Sequence, residues 1–167
     1  MPALAGAIAD PGQYGTDIKG GTIVARTQRT SDSTGTTSEV GVLQLESVPV
    51  KSGRAYWVGC STLSVSRGAA DVVGVRIRYT TDDSTATTSS TVLKYQQTTI
   101  RTGTPDEPLA VGVWHFPSSD VNLSLLLTVA RIAGTAGSAL IQGGSDIPIQ
   151  LLVIDCGIDP GDTGITL

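Results

Sequence analysis

The sequence predicts an all-β domain, an antiparallel β-sandwich, on three observations. Between Val72 and Thr80 the residues alternate strictly, with Val73, Val75, Ile77 and Tyr79 on one side and Val72, Gly74, Arg76 and Arg78 on the other. That is the period of a strand with one face in a core and one in water. Short apolar segments of the same kind recur along the chain, separated by Gly, Pro, Asp and Ser. No segment combines a helical period with capping residues.

Residues 1–20 contain Gly6, Gly12, Gly15, Gly20, Pro2 and Pro11 among small apolar patches at Leu4, Ile8, Tyr14 and Ile18. They hold neither period for long. They read either as an extended arm ordered against a partner through Leu4, Ile8, Tyr14 and Ile18, or as a frayed end. Strand candidates follow at Thr22–Thr27, Val40–Ser47, Arg54–Cys60, Leu63–Val65, Val72–Thr80, Thr91–Tyr95, Thr98–Arg101, Val111–Phe116, Val121–Ile132, Ser138–Gln142 and Ile147–Asp155. Turn residues punctuate them at Asp32–Gly35, Lys51–Gly53, Gly103–Asp106, Pro117–Asp120 and Gly143–Asp146. The Thr/Ser run behind Asp82-Asp83 is too polar to order itself, and reads as a bridge between strands fixed elsewhere.

The best core strand is 121–132, where Val121, Leu123, Leu125, Leu127 and Val129 share a face. Leu126 falls on the opposite face, which implies cover on both sides. In the last strand Ile147, Ile149, Leu151 and Val153 alternate with Pro148, Gln150, Leu152 and Ile154, and Pro148 marks a strand start or an edge. The expected division is an arm at 1–20, a sandwich at 21–157 of jelly-roll-like type, and a tail at 158–167, with a barrel as the alternative closure.

Of the 167 residues, 40% are hydrophobic and only 16% charged. Charge is sparse against a typical quarter, and Ser and Thr do the solvating instead. Such a surface is cheap to desolvate, because a hydroxyl loses less hydration than an ion. The net charge is −4, with scattered arginines and no basic stripe, which argues against nucleic acid. No run of apolar residues is long enough for a membrane span. Met-Pro-Ala-Leu lacks the cationic opening and apolar core of a secretory signal, so the expected compartment is a cytoplasm.

Candidate chemistry is thin. Asp162-Thr163-Gly164 spells an aspartic-protease triplet, but follows Asp159-Pro160-Gly161 as a turn does. Asp82/Asp83 and Asp155/Asp159/Asp162 lack calcium-loop spacing. Cys60, Cys156 and the single His115 offer no metal-ligand spacing, and the cysteines read as small buried residues. His115 lies between Trp114 and Phe116 with no nucleophile elbow in the chain, so it reads as packing. Asn122-Leu123-Ser124 matches a glycosylation sequon by chance inside a core strand. Trp57 and Trp114 are core or interface anchors, or else an aromatic contact for a sugar.

Several stretches carry a resemblance. They are Gly21 to Val50, the following Lys51-Ser52-Gly53-Arg54-Ala55-Tyr56, the block Asp71 to Asp82, Leu125 to Arg131, and Asp155-Cys156-Gly157-Ile158-Asp159-Pro160-Gly161-Asp162-Thr163-Gly164. Together they resemble small β-rich virion proteins of tailed phages infecting actinobacteria, described as decoration, minor capsid or minor tail proteins. The resemblance covers most of the chain after residue 20. It implies a non-enzymatic virion protein that binds and stabilises the capsid exterior, made in the host bacterial cytoplasm. Its implied partners are the major capsid protein and itself, as a trimer or dimer. The alternative it implies is a minor tail or fibre protein recognising host surface glycan. It implies no catalytic residue, cofactor or metal.

Overall fold

The computed structural model describes residues 21–60, 63–66, 72–100, 106–134 and 138–159. Eleven strands run through them: β1 (Thr22–Arg29), β2 (Val40–Val50), β3 (Arg54–Cys60), β4 (Leu63–Ser66), β5 (Val72–Thr80), β6 (Thr91–Thr99), β7 (Asp106–Leu109), β8 (Gly112–His115), β9 (Val121–Ala133), β10 (Leu140–Gln142) and β11 (Ile149–Ile158). Among the described residues no helix is long and apolar enough to cross a membrane.

The strand order defines the architecture. Two four-stranded sheets have the orders β1-β11-β3-β8 and β2-β9-β5-β6, with every ladder antiparallel. Set the three short strands β4, β7 and β10 aside and the remaining eight pair first with last, second with seventh, third with sixth and fourth with fifth. That is one long hairpin ribbon wrapped into two facing sheets, the jelly roll. The expected sandwich is therefore present, and the barrel alternative is not. The short strands form a third sheet, β10-β4-β7, assembled from the connections β3–β5, β6–β8 and β9–β11. The β1–β2 connection joins them through the Thr36↔Ala139 bridge, and Ser33 and Ile141 exchange two hydrogen bonds of 2.8 Å. All four connections are thus sewn together at one end of the sandwich.

Alternation fills the space between the two main sheets. From β9 come Leu123, Leu125, Leu127 and Val129, from β5 Val73, Val75 and Ile77, and from β11 Ile149, Leu151 and Val153. From β3 come Tyr56, Val58 and Cys60. Each such side chain is worth about 1.5–3 kcal/mol when fully buried. Burial pushes the Cys60 thiol up to about 12, and both cysteines are free.

Several sequence expectations need correcting. The expected strand at Thr98–Arg101, whose Arg101 lies outside the described residues, is joined to Thr91–Tyr95 in one strand, β6, which ends at Thr99 and runs through the exposed Gln96 and Gln97. A sheet-edge strand tolerates such residues, and they hide the period. β7 lies partly where a turn was expected, and it contains Pro108. It is an edge of the third sheet, where a missing donor costs nothing. The last strand begins at Ile149, directly after Pro148, and runs on to Ile158, one residue into the expected tail.

The polar run 81–90 is also more than a bridge. It folds over the outer face of the β2-β9-β5-β6 sheet. There Gln44 donates to the Ala86 carbonyl at 3.3 Å, Thr85 donates to Glu46 at 3.2 Å, and Asn122 donates to Asp83 at 2.8 Å. Beside it Arg78 holds Glu39 in a two-pronged ion pair at 2.6 and 2.8 Å and donates to the Ser90 carbonyl at 2.6 Å. Thr128 donates to Glu39 at 2.7 Å, and Arg76 stacks 4.7 Å over the Tyr95 ring. The face that alternation assigned to water is therefore partly covered, which explains why Ser124, Leu126, Thr128 and Ala130 are buried on the second side of β9.

Two groups make stability depend on acidity. His115 faces inward near the Tyr79 ring (6.1 Å between centroids), and its Nε2 is buried without a partner. Burial holds the imidazole below its ordinary 6.5. The unfolded chain then binds the proton more readily, so stability is full above about pH 6.5 and falls as pH drops through the lower folded value. Glu39 is lowered chiefly by the Arg78 hydrogen bond, and its contribution is lost at still lower pH, below the usual carboxylate value of 4.5. Urea midpoints should therefore decline from pH 7 to 5, and His115→Asn should flatten that limb. An unchanged slope in the variant would contradict the assignment.

Candidate functional site

β3 places Tyr56, Val58 and Cys60 inward, so Ala55, Trp57 and Gly59 face outward. Pairing then carries the outward side across the whole sheet. Ile23 of β1 is opposite Ile154 of β11, Ile154 is opposite Trp57, and Trp57 is opposite Trp114 of β8. Four large apolar side chains, one per strand, thus form a continuous row on the outer face. Ile23 and Trp114 are 52% and 54% exposed, and Phe116 next to the row is 51% exposed.

The next row along is small on one side. It runs Arg26, Leu152, Gly59 and Gly112. A Cβ built at Gly59 would stand 2.4 Å from the Trp57 ring, and one at Gly112 would stand 2.5 Å from it. The indole therefore lies flat over a glycine floor, and any side chain at either position would lift it. Arg26 is exposed at the far side of that row, and Gln28 and Gln150 face each other beyond it, 3.4 Å apart. The arrangement is a flat aromatic surface with a polar margin, and it can take an apolar segment or the face of a sugar ring.

The row sits near one end of the sandwich, the end opposite the third sheet. Both ends of the described chain leave there. Gly21 donates to the Asp155 carbonyl at 2.7 Å, and Asp159 donates to the Gly53 carbonyl at 2.9 Å. The Asp155 side chain points inward and is 1% exposed, clasped by Arg54 at 2.6 and 2.7 Å. Its oxygens also accept the Gly157 N–H at 2.9 Å. It is thus committed to an ion pair and does not contribute to a calcium site. Among the described residues no group of three or more His, Cys, Asp and Glu could hold a metal. A shallow cleft of about 450 Å³ opens at the other end between Asp32 and Gly143–Ile147. There Asp32 already accepts the Gly143 N–H at 3.0 Å.

The structure brings Trp57 and Trp114 together as direct cross-strand neighbours. Leu4, Ile8, Tyr14 and Ile18, the expected partner contacts, lie outside the described residues. Nothing local in the sequence singles out Ile23, Ile154, Gly59 or Gly112. Alternation within β3 does put Trp57 and Gly59 on the face opposite Val58. The register that aligns four strands is not a local property of any of them.

No protein-family model matches the chain, and no curated protein matches it. Among solved structures it is similar to infectious bursal virus derived T=1 particles, at 13% identity over 94% of this chain and 41% of that one, TM-score 0.46. It is similar to the infectious bursal disease virus VP2 subviral particle, at 11% identity over 95% and 43%, TM-score 0.43. It is also similar to the CBM22-1–GH10 modules of Clostridium thermocellum xylanase 10B complexed with xylohexaose, at 11% identity over 84% and 29%, TM-score 0.43. The chain spans less than half the length of each. At these values the jelly-roll assignment rests on the strand order itself. The class so defined is an all-β jelly roll with an open aromatic row beside the end from which its chain ends leave.

Proposed function

We propose that the chain is a non-enzymatic structural protein of a tailed-phage virion, bound to the capsid exterior as a decoration or minor capsid protein. The observation that carries this reading is the polarity of the jelly roll. One end is closed by the third sheet, while the other bears the exits at Gly21 and Asp159 and, beside them, the open aromatic row. A molecule of that build attaches by the exit end and presents the closed end to solvent. The sequence resemblance supplies the setting. The sparse charge and the hydroxyl-rich surface make contact with many neighbours inexpensive in desolvation. A protein that binds only the assembled shell stabilises it by linkage. Of the sheet edges, β8 carries no Lys, Arg, Asp or Glu and β6 carries only Lys94, so charge does little to protect these two. A closed dimer or trimer of identical chains on the particle covers them. Fractionated particles test the reading. The protein should co-purify with tail-less heads, and finding it with tails and never with heads would overturn it.

A second reading is favoured by the flat Trp57 and the exposed Trp114, which suit stacking against a host surface glycan in a tail protein. Cell-wall binding by the isolated protein, abolished by Trp114→Ala, would support it. No binding on a glycan array would remove it.

A further inference from the structure

The two main sheets end in four edge strands, and three of these are blunted. β1 carries an extra residue, Val24, against β11, and β6 carries an extra residue, Leu93, against β5. β2 bulges twice, at Val42 and between Leu45 and Val48. In addition β1 bears Arg26 and Arg29, and β2 bears Glu46. Bulges and charges are how natural sheets keep their edges from pairing. β8 has neither. Its register with β3 is unbroken from Gly112 to His115, and it holds no Lys, Arg, Asp or Glu.

The register also fixes what this edge offers. Cys60 donates to the Val111 carbonyl at 2.8 Å, one pair beyond Gly59 and Gly112. Hydrogen-bonded pairs alternate along an antiparallel ladder, so Val113 and His115 bond to β3, while Gly112 and Trp114 turn their N–H and C=O to the open side. A strand laid antiparallel there must bond to Gly112 and Trp114 and set a large side chain beside the bare Gly112. β8 meets both demands itself. About a two-fold axis at Val113, Gly112 of each copy exchanges hydrogen bonds with Trp114 of the other. Each Trp114 indole then reaches the other copy's Gly112, beside the Trp57 ring that lies over that glycine. A two-fold axis sets like charges against each other, and β8 has none to set.

We propose that two copies of the chain join through their β8 edges, antiparallel about a two-fold axis at Val113, into one continuous sheet. The sheet grows in its own plane, so the two outer faces lie side by side and both apolar rows stay open. The pairing gives the self-association in the proposed function its surface, and it forms in the isolated protein without a particle.

Sedimentation of the full chain across a dilution series should show a reversible dimer. Trp114→Lys should weaken it roughly tenfold or more, since it removes the side chain that fills the glycine position of the other copy. Trp114→Pro removes only a donor aimed at the open side, so it should weaken the dimer while β8 keeps its bonds to β3. Val92→Lys, on the β6 edge, should leave the dimer unchanged, and far-UV circular dichroism checks that each variant is folded. In a Cys156→Ser background, Val113→Cys should oxidise to a covalent dimer. The pair across the axis is not hydrogen-bonded, and its Cα atoms stand about 4.5 Å apart, within disulfide reach. A monomer at every concentration would overturn the proposal, as would a trimer, or a dimer that survives both Trp114 variants. Presence on heads is a separate readout. A dimer absent from particles would leave the pairing intact and remove the virion reading, while a monomer bound to tail-less heads would do the reverse.

Discussion

Asp155→Ala is expected to lower the unfolding free energy by about 3–5 kcal/mol, the usual cost of removing one partner from a buried ion pair. Alternation along β11 puts this carboxylate on the inward side, where Ile149, Leu151 and Val153 precede it. A charge there is tolerable only because Arg54 answers it with two short hydrogen bonds and the Gly157 N–H adds a third. The same contact, first among its causes, raises the Arg54 guanidinium above its ordinary value. Truncating Asp155 leaves a guanidinium that is only 12% exposed without a counter-charge. The double variant Arg54→Met/Asp155→Leu should recover much of the loss, because two apolar groups leave no orphaned charge. Urea denaturation of the three proteins is the check. A loss below about 1 kcal/mol in the single variant would mean that the pair is solvated, with the worth of a surface salt bridge.

Leu127→Ala is expected to cost about 2–5 kcal/mol, the range for deleting a core leucine and leaving a cavity. Leu127 is 0% exposed at the middle of β9, between Leu43 of β2 and Ile77 of β5 on the same face. Both neighbours are fixed by their own ladders, so the hole cannot easily close. Val92→Ala, on the exposed edge strand, should stay within about 0.5 kcal/mol. A Leu127→Ala protein as stable as the Val92→Ala protein would contradict the assigned core.

Most of the fold is legible in the sequence because the sandwich has one dry side and the period of two records it. The sequence period bounds Val72–Thr80 and Arg54–Cys60 to the residue, and alternation alone places Leu123, Leu125, Leu127 and Val129 in the core. What the sequence hid has physical causes. β6 and β7 are edge strands in which Gln96, Gln97 and Pro108 are tolerated, so they carry no clean period. Residues 81–90 are ordered by hydrogen bonds to Gln44, Glu46 and Asn122, partners distant in sequence. Alternation assigns Arg76 and Arg78 to water, whereas in the fold they meet Glu39 from across the sheet. The candidate site was half visible. Trp57 and Trp114 stood out as rare aromatics, but Ile23, Ile154 and the Gly59–Gly112 floor join them only through register.

The proposed virion role is tested most directly by copy number in purified particles, measured by quantitative mass spectrometry against the major capsid protein. A decoration or minor capsid protein repeats with the lattice, so hundreds of copies per particle, retained on tail-less heads, are expected. A handful of copies confined to tails, or none in the particle, would contradict it.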